Sequence, residues 1–454
     1  MNVNSLKTSS APHFHIKHLT YKMYLWVLIA GGINSFLDAC GIGANDLANS
    51  FGTTYGSKVL TMTQIIGIAS VCEFSGAMLL GAPVSNTLAG SISNVAFFKS
   101  QPYVLMYGML SALAASTTWL YTATYFGLPV STTHSIVGGI MGFSLVYKGI
   151  DGVVWSKSIP DFPYVAGFVP IVVSWISSPI ISALLSAGFY LSIKYGIFKS
   201  IHGVWRSVHL LPFVVFVTFF IESVFVLSKG AGSRITWGIE TTVWVSICVA
   251  AAASLISAAT IPWLKKQVTL IPISDELTVT EYDPKVEYTF KYLQIFTSIC
   301  TSFAHGANDV SNAVGPLSAI WYIYQNGAVA SKIEVPIWVL ALGGSGIVVG
   351  LAVYGKKIME VIGEKITFIS PSRGFCAELA TALVVSFASK YGFPISSTQC
   401  ITGAVIGISL CDNDFKNVNW SIIGRIFLSW IATILITACL SAAIFAQGVY
   451  SPNM

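Results

Sequence analysis

Apolar runs long enough to cross a hydrocarbon core of about 30 Å recur near residues 24–44, 60–81, 103–126, 165–193, 209–228, 240–264, 289–312, 335–355, 374–389 and 421–447. Each predicts a membrane helix. Two polar patterns interrupt this apolar background, and each occurs twice. GANDLANSFGT, from Gly43, returns as GANDVSNAVGP from Gly306 with 6 of 11 positions identical. GLPVSTTHSIVGGIMGFSL, from Gly127, returns as GFPISSTQCITGAVIGISL from Gly392 with 9 of 19 identical. The offsets, 263 and 265 residues, are nearly equal, so two copies of one unit run in the same order. Duplicated polar motifs inside apolar segments predict a transporter with a pseudo-twofold axis and its substrate between the repeats.

The Gly127 and Gly392 segments sit directly against their neighbours and predict re-entrant hairpins or broken helices. With them, and with residues 83–97 and 314–326, the count rises from about ten spans to about twelve. The fold class is therefore an all-α polytopic membrane protein. Its organisation reads as an N-terminal tail over 1–22, a first half over 23–264, a short linker loop over 265–288 and a second half over 289–454. The tail carries Lys7, Lys17 and Lys22 and no acid, and no A-x-A-like site precedes the GAND motif, which predicts a retained first helix rather than a signal peptide.

Composition agrees with this. Hydrophobic residues make up 54% of the chain and charged residues only 9%, against roughly 25% charged in soluble domains, so the lipid bilayer is the expected surrounding. The net charge of +5 comes from scattered lysines such as Lys194, Lys199, Lys265 and Lys266, with no dense basic run, which argues against nucleic acid as a partner. The eight cysteines show no CxxC and no His/Cys clustering, so neither a zinc site, a disulfide framework nor a bound cofactor is expected.

Within GAND, Asp46 and Asp309 are expected at the ends of apolar helices. A carboxylate at membrane depth costs roughly 3 kcal/mol, which calls for a cation or proton partner, and neither has a neighbouring Lys or Arg. Asn45, Asn49, Asn308 and Asn312 supply neutral oxygens beside them, a set suited to a hard monovalent cation such as sodium. Gly43, Gly52, Gly306 and Gly315 would permit a helix break whose free carbonyls coordinate the ion; close helix packing by the glycines, with Asn and Asp as caps, is the plainer alternative.

In the second motif Pro129 and Pro394 end one segment, and Ser131, Thr132, Thr133 and His134, or Ser396, Ser397, Thr398 and Gln399, open the next. A helix start offers free N–H groups, partial positive charge and hydroxyl donors, enough to hold a tetrahedral oxyanion without arginine. The competing reading is that these hydroxyls only satisfy backbone near a proline break. His134 is a donor, a proton carrier or a hydrogen-bonded interior residue; because Gln399 cannot titrate, symmetric proton transfer through both copies is excluded. Glu73 and Glu378 are intramembrane carboxylates that are not repeat-equivalent, and Glu222 is a weaker case of the same kind. A hydrolase built from Ser131, His134 and Asp46 is disfavoured because the second copy lacks the histidine, so the protein is not read as an enzyme.

GANDxxN twice, each followed by a Ser/Thr-rich GxPxS element, resembles the inorganic phosphate transporter family known as PiT, which includes sodium-phosphate symporters. The stretch ITFISPSRGFCAEL, from Ile366, is similar to the family's second-repeat helix start. The resemblance covers almost the whole chain outside 1–22 and the linker. It implies sodium-coupled import of inorganic phosphate by alternating access, in the plasma membrane, with sodium as co-transported substrate. It implies that Asp46 and Asp309 lie at the cation and phosphate sites, that Glu73 and Glu378 take part in translocation, and that Ser131, Ser396, Thr132, Thr133, Ser397 and Thr398 are phosphate donors. It also implies a transport bundle with two inserted hairpins, inverted repeats and frequent homodimers. Counting the apolar spans alone places six helix steps between the two GAND segments and would leave them parallel; inversion needs one more crossing, which 83–97 would supply. Gln399 departs from the family's usual histidine, and the linker is short. Proton-coupled symport is the nearest alternative reading, and a non-transporting receptor a remote one.

Overall fold

The computed structural model describes residues 11–82, 92–160, 164–234, 238–271, 283–330, 333–391, 395–411 and 418–451. Thirteen α-helices are found among them: α1 (Ala11–Gly56), α2 (Met62–Leu80), α3 (Pro102–Tyr125), α4 (Thr132–Lys148), α5 (Phe168–Ile193), α6 (Gly203–Arg234), α7 (Ile239–Leu270), α8 (Pro284–Asn326), α9 (Ile337–Tyr354), α10 (Lys356–Glu360), α11 (Pro371–Lys390), α12 (Ser397–Cys411) and α13 (Trp420–Tyr450). Eight of these, α1, α2, α3, α5, α6, α7, α9 and α13, are long and apolar enough to cross a membrane. All ten expected spans fall on helices. The protein is a multi-pass integral membrane protein.

Several boundaries move. Residues 265–270 complete α7 and 284–288 begin α8, so the linker is shorter at both ends than the expected 265–288. The expected tail over 1–22 is helical from Ala11 onward. Residues 314–326 are no separate segment, because they continue α8. Of 83–97, residues 83–91 lie outside the described residues, and the rest carries only a one-turn 3-10 helix at Val95–Phe98.

The larger correction concerns GAND. Neither copy lies at a helix end or a break: Asp46 sits inside the 46-residue α1 and Asp309 inside the 43-residue α8. Gly, Asn and Asp are poor helix formers by up to about 1 kcal/mol each, yet in a buried, water-free setting only the helix satisfies its own backbone groups. The glycines serve packing. A Cβ on Gly43 would lie 2.0 Å from the Ile347 carbonyl oxygen of α9, and one on Gly306 would lie 2.2 Å from that of Glu73 on α2. Equivalent glycines in the two copies thus bring equivalent helix pairs to backbone contact.

α1 and α8 run antiparallel. Ser35 Oγ donates to the Ala313 carbonyl at 2.9 Å, the Thr54 and Ser298 hydroxyls touch, and Ser57 Oγ donates to Gln294 Oε1 at 2.8 Å. Residue numbers rise along one helix as they fall along the other. The repeats are therefore inverted, and the parallel arrangement obtained by counting apolar spans is overturned.

Each half also clasps the other. Gly138 and Gly142 on α4 face Ile434 and Ala438 of α13, while Gly403 and Gly407 on α12 face Pro179 and Ala183 of α5. These are the same two motif positions in each copy, one helical turn apart, and they let the short helix of each hairpin lie against a long helix of the opposite half. The hairpins are α3–α4 and α11–α12, and their tips meet: Thr398 Oγ1 donates to the Val130 carbonyl at 3.1 Å. Gly392 and Pro394 lie outside the described residues.

Candidate functional site

Where α1 crosses α8, Asp46 and Asp309 come together under the two hairpin tips. Thr132 Oγ1 donates to Asp46 Oδ2 at 2.8 Å, and Thr398 Oγ1, from the other hairpin, donates to Asp46 Oδ1 at 3.3 Å. Asp309 accepts from Ser397 Oγ at 3.1 Å and from Asn308 Nδ2 at 2.9 Å. Asn49 and Asn312, equivalent in the two copies, make crossed contacts. Asn49 Nδ2 reaches Ser397 Oγ (3.0 Å) and Thr398 Oγ1 (2.9 Å), and Asn312 Nδ2 reaches Thr132 and Thr133 Oγ1, both at 3.3 Å. The pseudo-twofold relation predicted from the duplicated motifs is visible here at the level of single hydrogen bonds.

The helix starts are built as expected. Ser131 caps α4 by accepting the His134 N–H at 3.2 Å, and Ser396 accepts the Gln399 N–H at 3.3 Å at the start of α12. Both serines spend an oxygen lone pair on the backbone and keep their O–H. Thr132, Thr133, Ser397 and Thr398 sit in the first turns, where N–H groups and partial positive charge face the aspartates.

Not every expected residue joins this cluster. Asn45 is engaged by the first hairpin: its Nδ2 donates to Thr124 Oγ1 (3.1 Å) and the Leu128 carbonyl (3.0 Å), and its Oδ1 accepts the Val130 N–H (3.0 Å). It positions a tip. His134 packs against Trp175 of α5, ring centroids 4.9 Å apart and tilted by 53°, and its Nδ1 is buried without a hydrogen bond. Gln399 Oε1 is likewise buried and unbonded, and so are both carboxylate oxygens of Glu222.

The site also holds a residue that the duplicated pattern concealed. His305, directly before the second GAND, is 2% exposed. Its Nδ1 lies 2.8 Å from Glu73 Oε2, and its Nε2 lies 2.8 Å from Asp309 Oδ2 and 3.6 Å from Asp46 Oδ2. One imidazole thus joins three carboxylates from α1, α2 and α8. The first copy has Ile42 at the matching position, so comparing the copies for identity discards the histidine; the signal was its being ionisable inside an apolar span. Asp46, His305 and Asp309 offer ligand atoms within 4.8 Å of one another, a geometry able to hold a cation. Replacing His305 with Ala is expected to lower uptake at least about tenfold, whereas His134→Ala changes it by less than about threefold. Initial rates in vesicles decide between the two, and the reverse ranking would remove His305 from the site.

Glu378 forms a second buried group. Its carboxylate accepts from Thr53 and Thr54 of α1 and from Thr297 (2.7 Å) and Ser298 (2.8 Å) of α8. Four hydroxyls, no basic group among them, surround one carboxylate, the hydroxyls coming from both GAND helices. Beside the aspartate pair lies a small cavity of about 10 Å3, bordered by Asn49, Thr301, His305 and Ser397 and, on its apolar side, by Ala304 and Val385. That is room for about one water-sized particle.

The model of the Phosphate transporter family matches residues 42–441. The chain belongs to that family. Among curated relatives, a putative phosphate permease of Pyrococcus abyssi is 38% identical over 416 residues, covering 90% of this chain and 94% of the permease. The chloroplastic inorganic phosphate transporter 2-1 of Arabidopsis thaliana is 38% identical over 418 residues, covering 89% of this chain and 69% of that protein. A solved structure titled "The sodium-dependent phosphate transporter" superposes with a TM-score of 0.83 at 36% identity, covering 94% of this chain and 99% of the other. As a member of the phosphate transporter family the chain is a permease and not of an enzyme class. The serine, threonine and aspartate cluster that bridges its two halves is the natural place to seek its substrate.

Proposed function

We propose that this transporter imports inorganic phosphate by alternating access, driven by sodium. The observation that carries the reading is the charge balance at the crossing: three carboxylates, Asp46, Asp309 and Glu73, surround one imidazole. Fully ionised, the group keeps at least two uncompensated negative charges, which a phosphate anion could only worsen. Sodium ions held by Asp46, Asp309, Asn49, Asn308 and Asn312 would neutralise it. The similarity to a transporter titled as sodium-dependent supports the same choice.

The hydrogen bonds indicate how loading would proceed. Thr132, Ser397 and Thr398 donate to the aspartates. Once cations satisfy those carboxylates, the hydroxyls and the N–H groups of the α4 and α12 starts are released to an oxyanion between the tips. Loading cations first therefore limits the net charge that travels with phosphate, whereas an anion on the cation-free site would add to the charge carried through an apolar barrier. Glu378, held by hydroxyls of both GAND helices, is a further cation or proton station on this reading.

Proton coupling is favoured by one specific feature, the position of His305 among the carboxylates, since an imidazole can carry a proton between them. Uptake of radiolabelled phosphate into proteoliposomes separates the two readings. With an inward sodium gradient against an equal choline gradient at fixed pH, sodium coupling predicts accumulation at least about tenfold greater with sodium. Equal uptake in both, rising with an imposed pH gradient, would replace sodium by the proton.

A further inference from the structure

A second place for a phosphate-bearing anion lies beside the aspartate site. A groove of about 810 Å3 opens between α1, α3 and the α9–α10 junction, lined among others by Ala44, Thr124, Tyr125, Tyr354, Lys356 and Lys357. Its floor on α1 is one residue from Asn45 and two from Asp46. Thr124, on its wall, is the hydroxyl to which Asn45 donates. α9 runs parallel to α1, with Gly350 against Cys40 and Gly355 against Leu47, so the lysines stand level with the GAND segment. The Asn45–Thr124 hydrogen bond ties the groove wall to the residue that precedes Asp46.

Its charge is net positive, Lys356 and Lys357 against the single carboxylate of Glu360. Lys356 is 67% exposed and only loosely paired with Glu360, at 4.0 Å. Lys357 Nζ donates to the Tyr125 backbone carbonyl, at the C-terminal end of α3, and sits over the Tyr125 ring at 5.4 Å. Its stem lies across Gly127, whose φ of +67° forms the turn into the first hairpin tip, and a Cβ there would meet Lys357 Cε at 3.3 Å. One lysine thus borders the groove and also fastens the hairpin whose Thr132 holds Asp46.

We propose that this groove is a waiting site for a phosphate-bearing anion, and that the arriving anion takes Lys357 from the Tyr125 carbonyl. A charged phosphate oxygen is a stronger acceptor for an ammonium than a neutral carbonyl. Transfer of the lysine frees the end of α3 and the Gly127 turn, so occupancy of the groove loosens the first hairpin next to Asp46. The inference rests on phosphate as the transported substrate and is independent of which cation drives transport. The same chemistry suits free phosphate and an anionic lipid headgroup; the hydrogen bond from Asn45, next to Asp46, to Thr124 on the groove wall favours the free ion.

The test is amine acetylation of the full chain in phosphatidylcholine vesicles, read by mass spectrometry at Lys356 and Lys357. Inorganic phosphate is compared with chloride at matched sodium and ionic strength, and a parallel arm adds phosphatidylglycerol without phosphate. Phosphate is expected to slow acetylation of both lysines at least about threefold, in the wild type and equally in Asp46→Asn, because neither Asp46 nor Asp309 lines the groove. Protection by phosphatidylglycerol alone would assign the groove to lipid and overturn the waiting site. Equal labelling in all arms would overturn anion binding there altogether. In transport, Lys357→Gln is expected to raise the KM for phosphate about tenfold while Lys357→Arg keeps it within about twofold. A lysine with only a structural role would lower the maximal rate and leave KM in place. Acetylation does not depend on uptake, so a failure of sodium coupling leaves this result readable.

Discussion

Asp46→Asn is expected to lower the proposed sodium-driven phosphate uptake at least about a hundredfold while the protein still folds, and Asp309→Asn is expected to do the same. Asparagine keeps the volume and one oxygen acceptor, so Thr132 can still donate at position 46 and Ser397 at position 309. What is lost is the negative charge. In the proposed cycle that charge holds the cation which in turn admits phosphate, so the substitution removes an electrostatic interaction in a nearly water-free setting, where charges act most strongly. A hundredfold loss corresponds to about 2.7 kcal/mol, a modest demand for a buried ion contact. The effects of the two substitutions are not additive, since both residues face His305 and share one site. Initial rates in vesicles, normalised to monodisperse protein, measure this. Uptake within about twofold of wild type in either variant would take that aspartate out of the cation site.

The second large effect is on folding. Gly306→Ala places a methyl group 2.2 Å from the Glu73 carbonyl oxygen, and Gly43→Ala places one 2.0 Å from that of Ile347. These neighbours are backbone atoms of packed helices, so relief requires moving α2 or α9 by about an ångström rather than turning a side chain. The expected cost is about 3 kcal/mol or more, seen as a fall of several degrees in thermal midpoint and a lower monodisperse yield on size exclusion. At position 306 the shift also separates Glu73 from His305, now at 2.8 Å, so activity falls further than stability alone explains. Gly32→Ala and Gly67→Ala are the controls, because a Cβ at either meets nothing within 4 Å. Alanine there improves helix propensity by up to about 1 kcal/mol. Equal thermal midpoints for Gly306→Ala and Gly67→Ala would refute the packing account.

Both predictions show where a local reading of residues ran short. GAND looked like a helix break because Gly, Asn and Asp are weak helix formers taken one at a time. The helix persists because the glycines admit a neighbouring backbone and no water is present to reward an unwound one. Asn45 looked like a cation ligand because it stands beside Asp46, but although it shares a helix face with Asn49, the two hairpin tips divide that face: Asn45 meets the first tip and Asn49, one turn later, the second. His134 looked like a donor through its place in a duplicated motif, yet it points at Trp175. His305 and the hydroxyls of Thr53, Thr54, Thr297 and Ser298 lie outside the motif identities and became visible only when the helices crossed.

By itself the sequence determined the bilayer, the all-α class, the two copies, and the pairing of acidic and hydroxyl motifs. Those follow from composition, apolar run length and internal repetition, which need no knowledge of distant contacts. The tertiary structure decided that the repeats are inverted, since direction depends on how many times the chain crosses between them and apolar run length alone miscounted. It decided which oxygens meet, because the candidate site is assembled from α1, α8 and two hairpin tips separated by up to 352 residues. It also decided the charge balance, since Glu73 and Asp46 share an imidazole from the other half only after α1 and α8 cross antiparallel.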